Sequence, residues 1–169
     1  MLEFSSFDHF GFPAMPTPYD KQYREIKNYL MKARYSFTYK AEKEGADYWQ
    51  LPFETEYLGT GDCEDQSIWL YAQLTKEGID NIRLVAGKYK SENENLHVWI
   101  NLYIDGHAYI IDPTMDEVIW RAALFPPGFY KPLYSYHKDS KWTPTDELVP
   151  AKVESSSLSH RKAGVFPEK

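Results

Sequence analysis

GTGDCEDQSIWLYAQLTKEG, Gly59 to Gly78, carries the only cysteine of the 169-residue chain. Its pattern is that of a helix. Asp62 is a good N-cap, Glu64 and Asp65 fall in the first turn where the helix dipole favours negative charge, and Gly78 stands where the run closes. Cys63 is therefore placed at the helix amino end. Spacing of three and four puts Cys63, Ser67, Leu70, Tyr71 and Leu74 on one inward face. A lone cysteine is by itself more often a buried small hydrophobe than a reagent, so its company decides its meaning.

That company lies downstream. A strand is predicted over Ile82 to Tyr89, followed by the polar loop KSENENL and then by HVWINLYI and HAYIIDPT, which are separated by Asp105-Gly106. An Asp-Gly pair between two apolar runs signals a two-residue hairpin, because a type I′ turn needs positive φ at both central positions. With these two residues as the whole turn, Ile104 faces His107 and Trp99 faces Asp112. His97 then shares a sheet face with Asp112, diagonally across the pair, and His107 lies on the other face. A slip of one residue would reverse this.

Upstream, Tyr23, Ile26, Leu30, Ala33 and Phe37 recur at helical spacing and predict an amphipathic helix over Asp20 to Glu44. DYWQLPFETEYLGTG, Asp47 to Gly61, reads as a loop delivering the chain to the cysteine helix. Residues 1–19, with Pro13, Pro16 and Pro18 among aromatics, read as an extended arm, 20–150 as one catalytic domain, and 151–169 as a loose polar tail. Beyond Trp120, five prolines among Phe and Tyr suggest irregular chain wrapped on the domain. The Trp and Tyr cluster after Phe125 reads as core and cover. The arm also raises the idea of an autoinhibitory segment, with plain packing the simpler role.

A thiol attacks an acyl carbon only as thiolate, so something must lower its pKa. A helix amino end helps, an imidazole takes the proton, and a carboxylate on the far ring nitrogen holds the imidazole in the useful tautomer. Cys63, His97 and Asp112 supply these three parts. The Cys63 N–H can serve the oxyanion, and the upstream amide of Gln50 is a weaker candidate. His9, His107, His137 and His160 are assigned to structure or solvent.

GDCEDQS opening a helix, His97-Val98-Trp99 entering a strand and Asp112-Pro113-Thr114 ending the next resemble the transglutaminase-like superfamily of papain-fold enzymes. DYWQLP with GTGDCED resembles in particular the bacterial transglutaminase-like cysteine proteinases. The resemblance spans roughly Tyr48 to Thr114. It implies an α+β, papain-like transglutaminase core with a cysteine helix on an antiparallel sheet, and Cys63, His97 and Asp112 as nucleophile, base and orienting acid. No cofactor is required by such chemistry. The resemblance does associate the acids flanking the cysteine, here Asp62 and Glu64, with calcium. Left unscreened, Asp62, Glu64 and Asp65 should raise the thiol pKa rather than lower it, unless they point outward as caps.

The expected activity is hydrolysis of amide or peptide bonds through a thioester acyl-enzyme. Amide transfer from a protein glutamine to an amine, and a non-catalytic peptide- or glycan-binding module on the same fold, are the alternatives. The expected partner is a peptide or protein substrate. A formal charge of −6 gives no basic excess for nucleic acid. No apolar stretch approaches a membrane span and no signal-peptide pattern opens the sequence, which makes cytoplasmic the expected setting. One cysteine allows no internal disulfide, and no zinc spacing or phosphate loop is present. Oligomeric state is left open.

Overall fold

The protein is described by a computed structural model over residues 18–42, 48–90, 96–143 and 153–154. In chain order the elements are α1 (Pro18–Ser36), β1 (Thr38–Tyr39), α2 (Pro52–Leu58), β2 (Thr60–Gly61), α3 (Cys63–Lys76), β3 (Ile82–Tyr89), β4 (Leu96–Ile104), β5 (His107–Ile111) and β6 (Trp120–Arg121). A 3-10 turn (Ala122–Leu124), β7 (Tyr130–His137), β8 (Ser140–Trp142) and β9 (Val153–Glu154) follow. β1 and β2 pair in parallel, and the other strands form one antiparallel sheet in the order β6-β5-β4-β3-β7-β8-β9.

The hairpin has the predicted register: Ile104 pairs with His107, and Asp105 and Gly106 have φ of 48° and 75°. Strand alternation then sorts the side chains. Leu84, Ala86, Val98, Ile100, Leu102 and Ile111 face α1 and α3 in the larger core. Val85, Trp99 and Ile110 face the other way, under a cover of Trp120, Phe125 and Tyr130. All five residues of the predicted inward face of α3 are buried. So are Asp65, Gln66, Ile68 and Trp69, because α3 is enclosed by the sheet, α1 and α2 rather than lying on a surface.

Several expectations are corrected. The first helix ends at Ser36, not Glu44. Its core face of Ile26, Leu30, Ala33 and Phe37 is buried as predicted, but past the bond from Phe37 N to Ala33 O the chain turns extended and pairs with β2. The segment read as a loop from Asp47 contains α2, with Pro52 in its first turn, Leu51 N donating to Glu54 Oε2 at 2.7 Å, and Gly59 at φ 63° closing it. Beyond Trp120 the chain is not irregular, since β7 pairs with β3 along its length. Pro132 is accommodated where the register shifts between Ala86 and Gly87. Val153–Glu154, within the stretch read as a loose tail, pair with β8. The amino-terminal arm up to residue 17 and the rest of the tail lie outside the described residues. No described helix is long and apolar enough to cross a membrane.

Candidate active site

The β4–β5 ladder explains how the site is opened. In a two-residue hairpin the residues flanking the turn form a hydrogen-bonded pair, so the bonded pairs are Ile104–His107, Leu102–Tyr109 and Ile100–Ile111. The next would join Val98 to residue 113. That residue is Pro113, which has no N–H to give, and β5 has already ended at Ile111. The Val98 peptide groups are therefore left facing off the sheet, and α3 takes them: Ser67 Oγ donates to Val98 O at 2.9 Å, and the Val98 N–H bears on the Cys63 sulfur. Ser67 is fully buried. One helical turn thus sets the cysteine beside the residue that follows His97.

On the opposite face of β4, His97 Nε2 lies 2.6 Å from Asp112 Oδ2. A carboxylate can only accept, so Nε2 carries the proton and Nδ1 is left as the basic nitrogen. The imidazole is stacked at 6.1 Å on Trp99 and flanked by Tyr89 and Tyr130. Asp112 is buried and saturated with donors. Its Oδ2 also accepts from Tyr130 Oη at 3.0 Å, and its Oδ1 from Thr114 N at 3.1 Å and Oγ1 at 2.9 Å. The following loop is tied to α1, where Arg34 Nη1 donates to Thr114 O at 3.0 Å and Lys27 Nζ to Glu117 O. The Asp-Pro-Thr turn is legible in the sequence. Tyr130 is not, because it lies 18 positions from Asp112 in chain read as cover.

Glu64 does not point outward. Its Oε2 accepts the Cys63 S–H at 3.0 Å, and no hydrogen bond joins the thiol to His97 among the described residues. Burial above all, then the charge and hydrogen bond of Glu64, push the thiol well above its ordinary range; the Val98 N–H acts the other way. Asp62 does cap the helix, in a reciprocal pair with Asp65: Asp65 N donates to Asp62 Oδ1 at 3.5 Å and Asp62 N to Asp65 Oδ2 at 3.2 Å. Asp65 Oδ1 also accepts from Gln50 N at 2.8 Å, which binds the Gln50 segment to the cysteine end of α3. The Gln50 side-chain Oε1 is buried with no hydrogen-bond partner. Gly61 permits this closeness, since a Cβ there would sit 2.6 Å from Asp65 Cβ. Of the other histidines, His107 meets Arg121 at 2.9 Å on the far face and His137 meets Tyr71 at 3.2 Å, both away from this site, while His9 and His160 are not among the described residues.

Donor atoms of Asp62, Cys63 and Glu64 all lie within 4.8 Å of one another. The two carboxylates suit a hard cation such as calcium, the sulfur does not, and water would have to complete the shell. Burial first, and Glu64 next, push Asp62 up to about 7. Burial likewise pushes Asp65 up to about 6. A carboxyl whose pKa is higher folded than unfolded binds its proton more tightly in the folded state, so its contribution is complete below the ordinary value of 3.8 and is lost as pH rises. In chelator, the thermal midpoint should therefore fall as pH rises from about 4 to about 7, and the fall should be smaller in Asp62→Asn. Equal slopes in the two proteins would refute the assignment.

No protein-family model matches the chain, and no curated protein matches it. Among solved structures it is similar to LapG of Legionella pneumophila. The calcium-bound form aligns over 82% of this chain and 75% of that one, at 24% identity and a TM-score of 0.66. The EGTA-treated form aligns over 81% and 74%, at the same identity and TM-score. A further LapG structure aligns over 72% and 67%, at a TM-score of 0.63. The likeness and the helix-on-antiparallel-sheet architecture establish an α+β, transglutaminase-like papain fold.

Proposed function

We propose that on this transglutaminase-like papain fold the chain acts as a cysteine-dependent hydrolase of amide bonds in a peptide or protein substrate. The observation that carries the reading is the 2.6 Å contact of His97 with Asp112, one residue from Val98, whose carbonyl accepts at 2.9 Å from Ser67, one turn along the helix that Cys63 opens. In this mechanism His97 Nδ1 takes the thiol proton and the thiolate adds to the acyl carbon. The N–H of Cys63, with the Gln50 amide as second donor, holds the oxyanion. Imidazolium returns the proton to the leaving amine as the C–N bond breaks, and water then hydrolyses the thioester by the same steps. Asp112 holds the tautomer, and Tyr130, Thr114 and the aromatic box around the ring hold Asp112 and His97 in place.

The Glu64 contact favours a latent form of the enzyme. Asp62 and Glu64 are the residues that would hold calcium, and LapG, seen in calcium-bound and EGTA-treated forms, motivates the expectation. When bound, the cation would supply positive charge that draws Glu64 from the thiol and offsets the acids. The same contact also favours, in second place, a non-catalytic binding module that retains the fold. The pH dependence of Cys63 alkylation by iodoacetamide separates the two. Glu64→Gln should lower the thiol pKa by about one unit, raising the neutral-pH rate about tenfold, and His97→Ala should reverse that gain. A thiol insensitive to both changes, with and without calcium, would leave the binding module. Product formed only with an added primary amine would instead make the enzyme an acyltransferase.

A further inference from the structure

Toward the end of β3 that lies away from the catalytic residues there is a cavity of about 250 Å³, whose walls include Asp80, Asn81, Arg83, Tyr103, His137 and Trp142. Gly87 of β3 pairs with His97, and Arg83 precedes it by roughly 13 Å of strand rise. The register puts three of the lining side chains on one sheet face. Arg83 pairs with Asn101, so Tyr103, two residues on, shares its face; Trp142 pairs with Ser135, which pairs with Val85, two residues from Arg83. Arg83 is thereby flanked from both sides of β3. Its guanidinium carbon lies 4.4 Å from the centre of the Trp142 ring and 5.3 Å from that of Tyr103. The rings balance part of its charge, but a ring face does not replace the oxygen acceptors that five N–H donors require. Among the described residues the guanidinium makes no hydrogen bond and no ion pair. Asp80, the acid in the wall, is met instead by Lys138 Nζ at 3.0 Å. The other walls are held as well. Asn81 Nδ2 donates to Tyr103 O and Tyr103 N to Asn81 O, each at 2.8 Å. Lys138 N donates to Tyr71 Oη at 3.0 Å, and that hydroxyl lies 3.2 Å from His137 Nδ1.

We propose that this cavity is a second binding site, distinct from the cysteine cleft, which takes the carboxylate of a peptide through a two-pronged hydrogen bond to Arg83. A carboxylate matches the planar fork of a guanidinium. Trp142 and Tyr103 hold that fork before the ligand arrives, so little side-chain freedom is lost on binding. The walls also set the size. At about 250 Å³ the cavity is smaller than sites for drug-sized ligands, and it suits one residue, either the last of a chain or an Asp or Glu, with its apolar atoms against the rings. The site requires no working thiol and is independent of the hydrolase reading.

The test is a titration of the isotope-labelled full chain followed by nuclear magnetic resonance. The probes are acetyl-Ala-Leu with a free carboxyl terminus and acetyl-Glu amide, each against its own carboxamide, and inorganic phosphate. At least one acid should shift the Arg83 Nε–H and Trp142 indole N–H signals, leave the backbone amide of His97 unmoved, and bind about tenfold more tightly than its carboxamide. Whichever acid binds more tightly identifies the source of the carboxylate. Arg83→Lys keeps the charge but not the fork and should weaken that acid about tenfold, and Arg83→Gln should reduce it to the level of its carboxamide. Circular-dichroism melting checks both variants, and the comparison of acid with carboxamide needs no substitution. Acids that leave the two signals unmoved, carboxamides that bind as tightly as acids, or an affinity unchanged in Arg83→Lys overturn the site. Inorganic phosphate binding as tightly as the better acid overturns the assignment to a carboxylate. Shifts confined to His97 and Cys63 would place the binding in the catalytic cleft and overturn the second site.

Discussion

Alanine at Cys63 or at His97 is expected to lower kcat/KM on any cleaved peptide by about 10⁴-fold or more, with the double variant no worse than either single one. The reason lies in how the three groups act together. A thiol pushed upward by burial and by Glu64 contributes almost no thiolate at neutral pH, so the base must be present for attack, and a base without a nucleophile has nothing to activate. Removing one therefore removes the use of the other, which is what non-additivity reports. Asp112→Asn should lose about 10²- to 10⁴-fold while leaving KM nearly unchanged, because an amide can present its NH₂ to Nε2 and favour the wrong tautomer. Steady-state rates measured beside circular-dichroism melting separate these effects from unfolding. A folded His97→Ala that keeps activity within about tenfold of the parent would end the Cys–His reading.

Gly87→Ala should cause the largest loss of stability among single-methyl changes. A Cβ at Gly87 would lie 2.2 Å from Lys131 O, 2.9 Å from Lys131 C and 2.7 Å from Trp99 Cη2. Two of these neighbours are backbone atoms of β7, held by the ladder to β3, so no side-chain rotation relieves the overlap. Either β7 moves off β3 at the register shift or Trp99 leaves its place under Tyr130 and beside His97. Overpacking of this kind costs about 3 kcal/mol or somewhat more, which for a domain of this length lowers the thermal midpoint by roughly 6–12 °C. Since Trp99 also carries the imidazole, thiol reactivity should fall together with the midpoint. A variant melting within about 2 °C of the parent would mean that the sheet yields at this position at little cost.

Much of the site is legible in the order of the amino acids, for local reasons. Capping chemistry at Asp62, the closing Gly78 and three-four spacing define the cysteine helix within a few residues. The Asp105-Gly106 turn sets a register that puts His97 and Asp112 on one face. Both are short-range effects, in which the backbone geometry of a few residues has one favourable solution. Pro52, Glu54 and Gly59 also mark α2. Their signal is ambiguous, because an early proline and a glycine resemble loop punctuation as much as the two ends of a short helix.

What the chain alone determined is therefore the set of local geometries: a thiol at a helix start, an imidazole and a carboxylate on facing strands, and an Asp-Pro step that ends their ladder. Tertiary structure decided the rest. Thr38 and Tyr39 leave the helical pattern because β2 offers them partners, and β7 accommodates Pro132 because β7 itself bulges there, setting Pro132 and Tyr134 opposite the adjacent Gly87 and Ala86 of β3. Tyr130 reaches Asp112, and Ser67 reaches Val98, only once the sheet is assembled. Pairings between residues distant in sequence depend on the free energy of packing many elements at once, which no short window of sequence contains.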